Sequence, residues 1–341
     1  MNIAVDAMGG DFAPSETVRG ALLAARQDGL RPILVGDEEK IYAELEGPDR
    51  SLVEVVHAPE VIGMDESPAV AVRRKKNSSI VRAVQLVREG RAAAMVSAGN
   101  TGAVMAAGLL GLGRIKGIDR PAIASVLPTR RGKVVLLDAG ANVDCEPHHL
   151  LQFALMGYLY ARDVLGVSDP RVGLLNIGEE ECKGNSLTQA AFSLLKESGL
   201  NFVGNVEGRD IFPGQADVVV CDGFVGNVVL KTSEGLAMTL LGMLKDALGV
   251  SWLSRLGALL SLPALQDLRR RLDYAEYGGA PLLGVNGAVV IGHGSSDARA
   301  IRNALRFAAS AAQSRLVEKI AGSLGQLVHD MKSSCGGCGN A

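Results

Sequence analysis

The chain has 341 residues, 48% of them hydrophobic, 4% aromatic and 42 glycine, with a formal net charge of −2. That apolar content fills one large α/β core or two smaller ones, and the near balance of charge excludes nucleic acid as a partner of the surface as a whole. No apolar run reaches the roughly eighteen residues of a membrane span, and Met1 leads straight into Asn2-Ile3-Ala4-Val5 without the basic region of a secretory leader, so a cytoplasmic protein is expected.

Short, nearly continuous apolar runs alternate with helical patterns. In chain order the expected elements are strand Ile3–Asp6, helix Ser15–Asp28, strands Ile33–Gly36 and Val53–His57, helix Pro68–Glu89, strand Ala93–Ser97 and helix Thr101–Leu112. Strands Ile123–Leu127 and Val134–Asp138 follow, then helix His148–Leu165, strand Val172–Asn176, helix Ser186–Glu197, and strands Phe202–Val206, Val218–Cys221 and Val289–Ile291. Runs that are apolar throughout mark strands covered on both faces. Their alternation with helices argues an α/β protein with a doubly wound, mostly parallel sheet in an α/β/α sandwich. One domain is expected over residues 1–320, with a flexible tail over 321–341.

Residues 227–274 break the rhythm: no strand pattern occurs there, only helix. Leu253, Leu256 and Leu260 fall on one helical face, with Trp252 and Leu259 beside them and Arg269, Arg270 and Arg271 following. Core packing or a dimer contact is one reading. A protruding tip whose Trp252, Leu253, Leu256 and Leu260 dip into a membrane surface is the other.

In parallel α/β sheets ligands bind at the carboxyl ends of strands. Those ends carry one theme here: Asp6-Ala7-Met8-Gly9-Gly10-Asp11, Ser97-Ala98-Gly99-Asn100-Thr101-Gly102, Asp138-Ala139-Gly140-Ala141-Asn142, Asn176-Ile177-Gly178-Glu179, Lys183-Gly184-Asn185, Asp222-Gly223-Phe224-Val225-Gly226-Asn227 and Gly292-His293-Gly294-Ser295. Glycine lets backbone approach a ligand, and Asn, Ser and Thr cap the following helix, whose free N–H groups favour an anion. The turns are therefore expected to share one edge of the sheet and to line one phosphate site, with Asp6, Gly9, Gly10, Asn100, Thr101, Asp138, Asn142, Asn185, Asp222 and Gly226 around it. Lys183 would neutralise the phosphate, and Asn227 would present a helix start. His293, between two glycines, would donate to an oxyanion.

There is no P-loop, no G-x-G-x-x-G, no G-x-S-x-G and no H-E-x-x-H, so neither a covalent serine nor a metal nor a cofactor is expected. His148 and His149 are adjacent, which argues against their facing one ligand together. Cys145, Cys182 and Cys221 read as reduced thiols, and Cys335 and Cys338 form a C-x-x-C too small for a structural zinc. Arg73-Arg74-Lys75-Lys76 is the densest basic cluster; a solvated helix face and an acidic protein partner are its two readings.

These turns closely resemble the phosphate acyltransferase family of bacterial phosphatidic acid synthesis. The words that carry the resemblance are Val5 to Asp11, Val96 to Gly102, Leu137 to Asn142, Leu175-Asn176-Ile177-Gly178-Glu179-Glu180, Asn205-Val206-Glu207-Gly208-Arg209-Asp210, Cys221 to Asn227 and Tyr277-Gly278-Gly279-Ala280-Pro281-Leu282-Leu283-Gly284. The resemblance runs from Met1 to about Ile320. It implies transfer of a fatty acyl group from acyl carrier protein to inorganic phosphate, giving acyl phosphate for a membrane glycerol-3-phosphate acyltransferase. It further implies a homodimer peripherally associated with the membrane through the helical insertion, and a fold like those of phosphate acetyltransferases and isocitrate-type dehydrogenases. Three other readings stand beside it: a coenzyme A-dependent phosphate acyltransferase, an oxidoreductase on the same architecture, and a non-catalytic organiser of lipid enzymes at the membrane.

Overall fold

The structure, a computed structural model, describes residues 1–272 and 278–323. In chain order the elements are β1 (Asn2–Asp6), α1 (Ser15–Asp28), β2 (Arg31–Gly36), α2 (Glu38–Ala43), β3 (Glu54–His57), α3 (Pro68–Arg74), α4 (Ser79–Arg88), β4 (Ala94–Ser97), α5 (Thr101–Leu112), β5 (Ala122–Thr129) and β6 (Gly132–Leu137). There follow α6 (Pro147–Asp163), β7 (Val172–Asn176), α7 (Ser186–Lys196), β8 (Phe202–Glu207), β9 (Val218–Val220), α8 (Gly223–Gly249), α9 (Trp252–Leu260), α10 (Leu262–Leu272), β10 (Ala280–Leu283), β11 (Ala288–Ile291) and α11 (Ala298–Gln313).

All the strands join one eleven-stranded sheet, ordered β3-β2-β1-β4-β11-β10-β5-β6-β9-β7-β8. The central strands are the continuous apolar runs of the sequence; Ile3, Ala4 and Val5 are at most 1% exposed, as are Val218, Val219 and Val220. Helices cover both faces, and apolar clusters fill the two interfaces. The doubly wound α/β/α expectation is met.

The sheet, however, contains a reversal. The block β3-β2-β1-β4-β11 is parallel. β10 runs antiparallel to β11, β5 antiparallel to β10, and β6 antiparallel to β5. The second block, β6-β9-β7-β8, is parallel within itself and therefore runs opposite to the first. The glycine-rich turns thus do not share one edge, contrary to the expectation. Register offsets this in part. Ser97 lies opposite Ile291, and Ile291 opposite Ala280; Leu282 lies opposite Ile123, and Ala124 opposite Leu137. Followed across the strands, Ser97 and Leu137 end within about one residue of the same level, roughly 3 Å. The two sets of carboxyl ends meet in the middle of the molecule and not at its far edges.

Other departures have local causes. The expected helix Pro68–Glu89 is two helices, broken after Arg74. Lys75 leaves helical geometry, Ser78 bridges to Glu60, and the Lys75 ammonium reaches back to Glu66 and the Val61 carbonyl. The Asn77 N–H is taken by the Glu60 carboxylate at 3.0 Å instead of a helical carbonyl. β10 lacks a strand signature because Pro281 interrupts it, yet its short antiparallel ladders tolerate the proline. The long helical region begins at Gly223, ahead of Asn227, since Asp222 caps it by accepting the Val225 N–H at 2.9 Å. No residue of α9 is buried, which removes core packing as an account of its leucines. Tyr274, Tyr277, Cys335 and Cys338, most of the expected tail, and the side chains of Arg269, Arg270 and Arg271 lie outside what is described.

Candidate active site

The first knot gathers the turns after β1, β4 and β11. Asp6 is 1% exposed, and its carboxylate accepts from the Ser97 hydroxyl at 2.6 Å and the Met8 N–H at 3.2 Å. Ser97 Oγ accepts the Gly99 N–H at 3.1 Å. A Cβ on Gly9 would collide with the Asp6 carboxylate and the Gly99 backbone, so only glycine lets these two turns touch. The Asp11 N–H donates to the Gly294 carbonyl at 2.8 Å, which brings the His293 loop onto the same turn. His293 Nδ1 accepts the Ser295 N–H at 3.2 Å and lies 2.8 Å from the Ser295 hydroxyl. Burial raises the Asp6 pKa, against the opposing effect of its hydrogen bonds. Asn100 caps α5 through Ala103 and holds the Gly63 and Met64 carbonyls at 3.1 and 3.2 Å.

A second knot forms around Asp138, which is 0% exposed. Its two oxygens accept the N–H groups of Ile123, Ala141 and Asn142 at 3.0, 3.0 and 2.7 Å, and the Asn142 side-chain amide at 2.9 Å. Here too burial raises the pKa. The Gly223 N–H donates to the Asn142 carbonyl at 2.7 Å, which moors the start of α8 to the Asp138 turn. Gly226 packs on the Asp138 carbonyl so closely that a Cβ there would overlap it, while the Asn227 side chain covers Gly140. Asn227 lies inside α8, one turn beyond its start, so the expectation of free helix-start N–H groups at this residue is corrected. Cys221 and Cys145 flank the knot with raised thiol pKa values, Cys145 at about 11, chiefly through burial. Ala139 and Ala141 pack in the same apolar cluster as Ala103 and Val104 of α5, and this joins the second knot to the first.

Lys183 and Asn185 stand in a third group, after β7. Asn176 donates to the Lys183 carbonyl at 3.2 Å, the Lys183 N–H donates to the Glu180 carbonyl at 3.1 Å, and Asn185 caps α7 through Thr188 at 2.9 Å. The backbone of this loop is pinned, yet the exposed Lys183 ammonium makes no ion pair among the described residues. Nearby Glu181 is taken up by Lys196 at 2.7 Å.

Residue types at strand ends located all three groups. Ser97 was missed as a site residue; its partner Asp6 lies 91 positions away, and no local pattern announces such a contact. His148 and His149 open α6, and His149 takes the capping role expected of the pair. Ring nitrogens of both and a carboxylate oxygen of Asp119 lie within 4.8 Å of one another, and the His149 ring accepts the Glu146 N–H at 2.9 Å. That bond leaves the proton on Nε2, so as placed this nitrogen donates and does not offer a neutral metal ligand.

This architecture defines an α/β/α protein of the phosphotransacetylase fold. The phosphotransacetylase from Streptococcus pyogenes aligns over 92% of this chain and 94% of its own at a TM-score of 0.63 and 20% identity. A branched-chain phosphotransacylase from Enterococcus faecalis V583 aligns over 91% and 98% at 0.55 and 18%. The family model described as fatty acid synthesis protein matches residues 1–319. Proteins named phosphate acyltransferase are 64% identical over 325 residues in Pelotomaculum thermopropionicum, covering 95% of each chain, and 60% identical over 329 residues in Desulforamulus reducens, covering 95% of this chain and 97% of that one. The chain belongs to the phosphate acyltransferase family.

Proposed function

We propose that this protein is an acyltransferase that moves a fatty acyl group from the thioester of acyl carrier protein to inorganic phosphate, giving acyl phosphate for phospholipid synthesis. Family membership supports the reaction class. A phosphate oxygen attacks the thioester carbonyl, the carbon–oxygen bond forms, the carbon–sulfur bond breaks, and the carrier leaves as its thiol after taking up a proton. Phosphate is already a nucleophile, so positioning and charge stabilisation are what the protein must add.

The single observation that carries the site reading is Lys183: a cation with no ion-pair partner among the described residues, on a loop whose backbone is held at Asn176, Glu180 and Asn185. It supplies the positive charge for phosphate, with Asn185 beside it. His293 stands on the loop that the Asp11–Gly294 hydrogen bond ties to the first knot, where it would serve the carbonyl oxygen, and the amides of Thr101 and Gly102 open α5 in the same knot. Asp6 and Asp138 are buried and already accept from several donors, and a carboxylate repels phosphate. Their part is to hold the turns that carry Gly9, Gly10, Asn100 and Asn142, and Asp222 and Gly226 likewise set the start of α8.

The decisive experiment compares wild type with Lys183→Ala on long-chain acyl carrier protein plus phosphate. A lost charged contact of about 2 kcal/mol predicts about a thirtyfold fall in kcat/KM, with most of it in the KM for phosphate. An unchanged phosphate KM and rate would remove Lys183 from the site. Peripheral membrane association and a homodimer belong to the same reading. Trp252, Leu253, Leu256 and Leu260 are 73%, 62%, 49% and 78% exposed, a surface that water alone disfavours. No helix of the described residues is long and apolar enough to cross a membrane.

A further inference from the structure

We infer that α3 and the loop before it form the docking surface for the acidic carrier protein, coupled to the site through Asn100; this rests on the acyl-transfer reading above. Arg73, Arg74 and Lys76 are exposed and have no ion-pair partner among the described residues. The fourth cation of the run, Lys75, is structural: it holds Glu66 at 2.6 Å and the Val61 carbonyl at 2.7 Å. Of the nearby acids, Glu66 is paired with Lys75, while Glu60, which accepts the Asn77 N–H at 3.0 Å, and Asp65 keep their charge, so the three cations still exceed the two remaining acids. The patch is a surplus of positive charge on a chain whose overall charge is −2.

Apolar side chains accompany the charge. Met64 is 65% and Val70 61% exposed, beside the cations. A basic rim around a few exposed apolar groups complements a small acidic protein, whose charge steers encounter while apolar contact holds the pair. The surface is also wired to the chemistry. Asn100 is 7% exposed, and its side-chain amide grips the Gly63 and Met64 carbonyls. Pro68, the first residue of α3, sits against Gly102, so that a Cβ there would stand 2.6 Å from Pro68 Cγ. A carrier seated on α3 therefore lies one loop away from the start of α5, where its prosthetic arm needs to deliver the thioester.

The test uses the full chain with the triple variant Arg73→Glu, Arg74→Glu, Lys76→Glu and the milder single variant Arg74→Gln. Two donors are compared at saturating phosphate: palmitoyl carrier protein, and palmitoyl-pantetheine, which has no protein to dock. The triple variant is expected to raise KM for the carrier donor at least about tenfold, with kcat and the pantetheine rate unchanged and the single variant in between. Binding of the unacylated carrier, followed by titration calorimetry, is expected to weaken in parallel. Equal carrier KM and binding in wild type and triple variant would overturn the inference. So would loss of binding to phosphatidylglycerol vesicles with carrier KM unchanged, which would make the patch a lipid contact. If wild type turns over neither donor, the acyl-transfer reading fails, while the calorimetric comparison still decides whether the carrier docks here.

Discussion

Gly226 shows how little freedom the site leaves at the scale of a residue. It lies within α8, where alanine would ordinarily stabilise a helix by about 1 kcal/mol. Its α-carbon, however, lies on the Asp138 carbonyl, and backbone cannot move aside as a side-chain end can. Gly226→Ala is therefore expected to destabilise by about 2 kcal/mol net, read as a lower urea midpoint with unchanged slope. An unchanged or higher midpoint would mean that the contact relaxes freely. Such details were only half legible beforehand. Glycine, asparagine and aspartate at strand ends marked the turns, because those residue types are needed to leave a strand and start a helix in a few residues. Their partners were not legible: Asp138 gathers Ile123, Ala141 and Asn142, and neither Ile123 nor its N–H carries any sequence mark.

Among the elements, α9 departs furthest from what an ordinary globular protein tolerates. It has an apolar face and no buried residue, and the last turns of α8 add exposed Met238, Leu240 and Met243. Helical period was visible from the leucine spacing, but period reports only that a face exists and not what covers it. Replacing Leu256 and Leu260 by Ser is expected to abolish flotation with anionic phospholipid vesicles, since each buried leucine contributes about 1.5–3 kcal/mol on transfer from water. Turnover of soluble substrate should persist. Vesicle binding that survives the double change would assign this face to another partner, a second copy of the chain first of all. The α3–α4 break was hidden for a different reason: it depends on Lys75 reaching Glu66 and on Ser78 bridging Glu60, contacts made by a loop that has no pattern of its own.

At the scale of the whole molecule, α11 returns the chain to its beginning, and the Arg302–Asp28 pair at 2.7 Å fastens it to the end of α1. The Arg302 hydrogen bond, opposed by partial burial and aided by the charges of Arg302 and Arg306, lowers the Asp28 pKa below its ordinary 3.8. A lowered folded-state value contributes stability that is present above pH 3.8 and is lost as pH falls through the lowered value. Arg302→Gln is expected to cost about 1 kcal/mol at neutral pH, with the gap to wild type closing in that acid window when urea midpoints are followed against pH. A gap independent of pH would mean that the pair contributes packing and no charge. Asp6 and Asp138 act with the opposite sign, because their raised values favour the folded state at low pH and withdraw that support as pH rises; comparing the variant with wild type cancels them. The sequence by itself determined the fold class, the positions of every strand but β10, and the family, since apolar runs and glycine-rich turns are local demands that each segment meets alone. The reversal of β6-β9-β7-β8 and the slip that brings opposed carboxyl ends to one level were decided only in the tertiary structure. Strand direction and register depend on which distant segments pair, and a buried apolar strand reads the same in either direction.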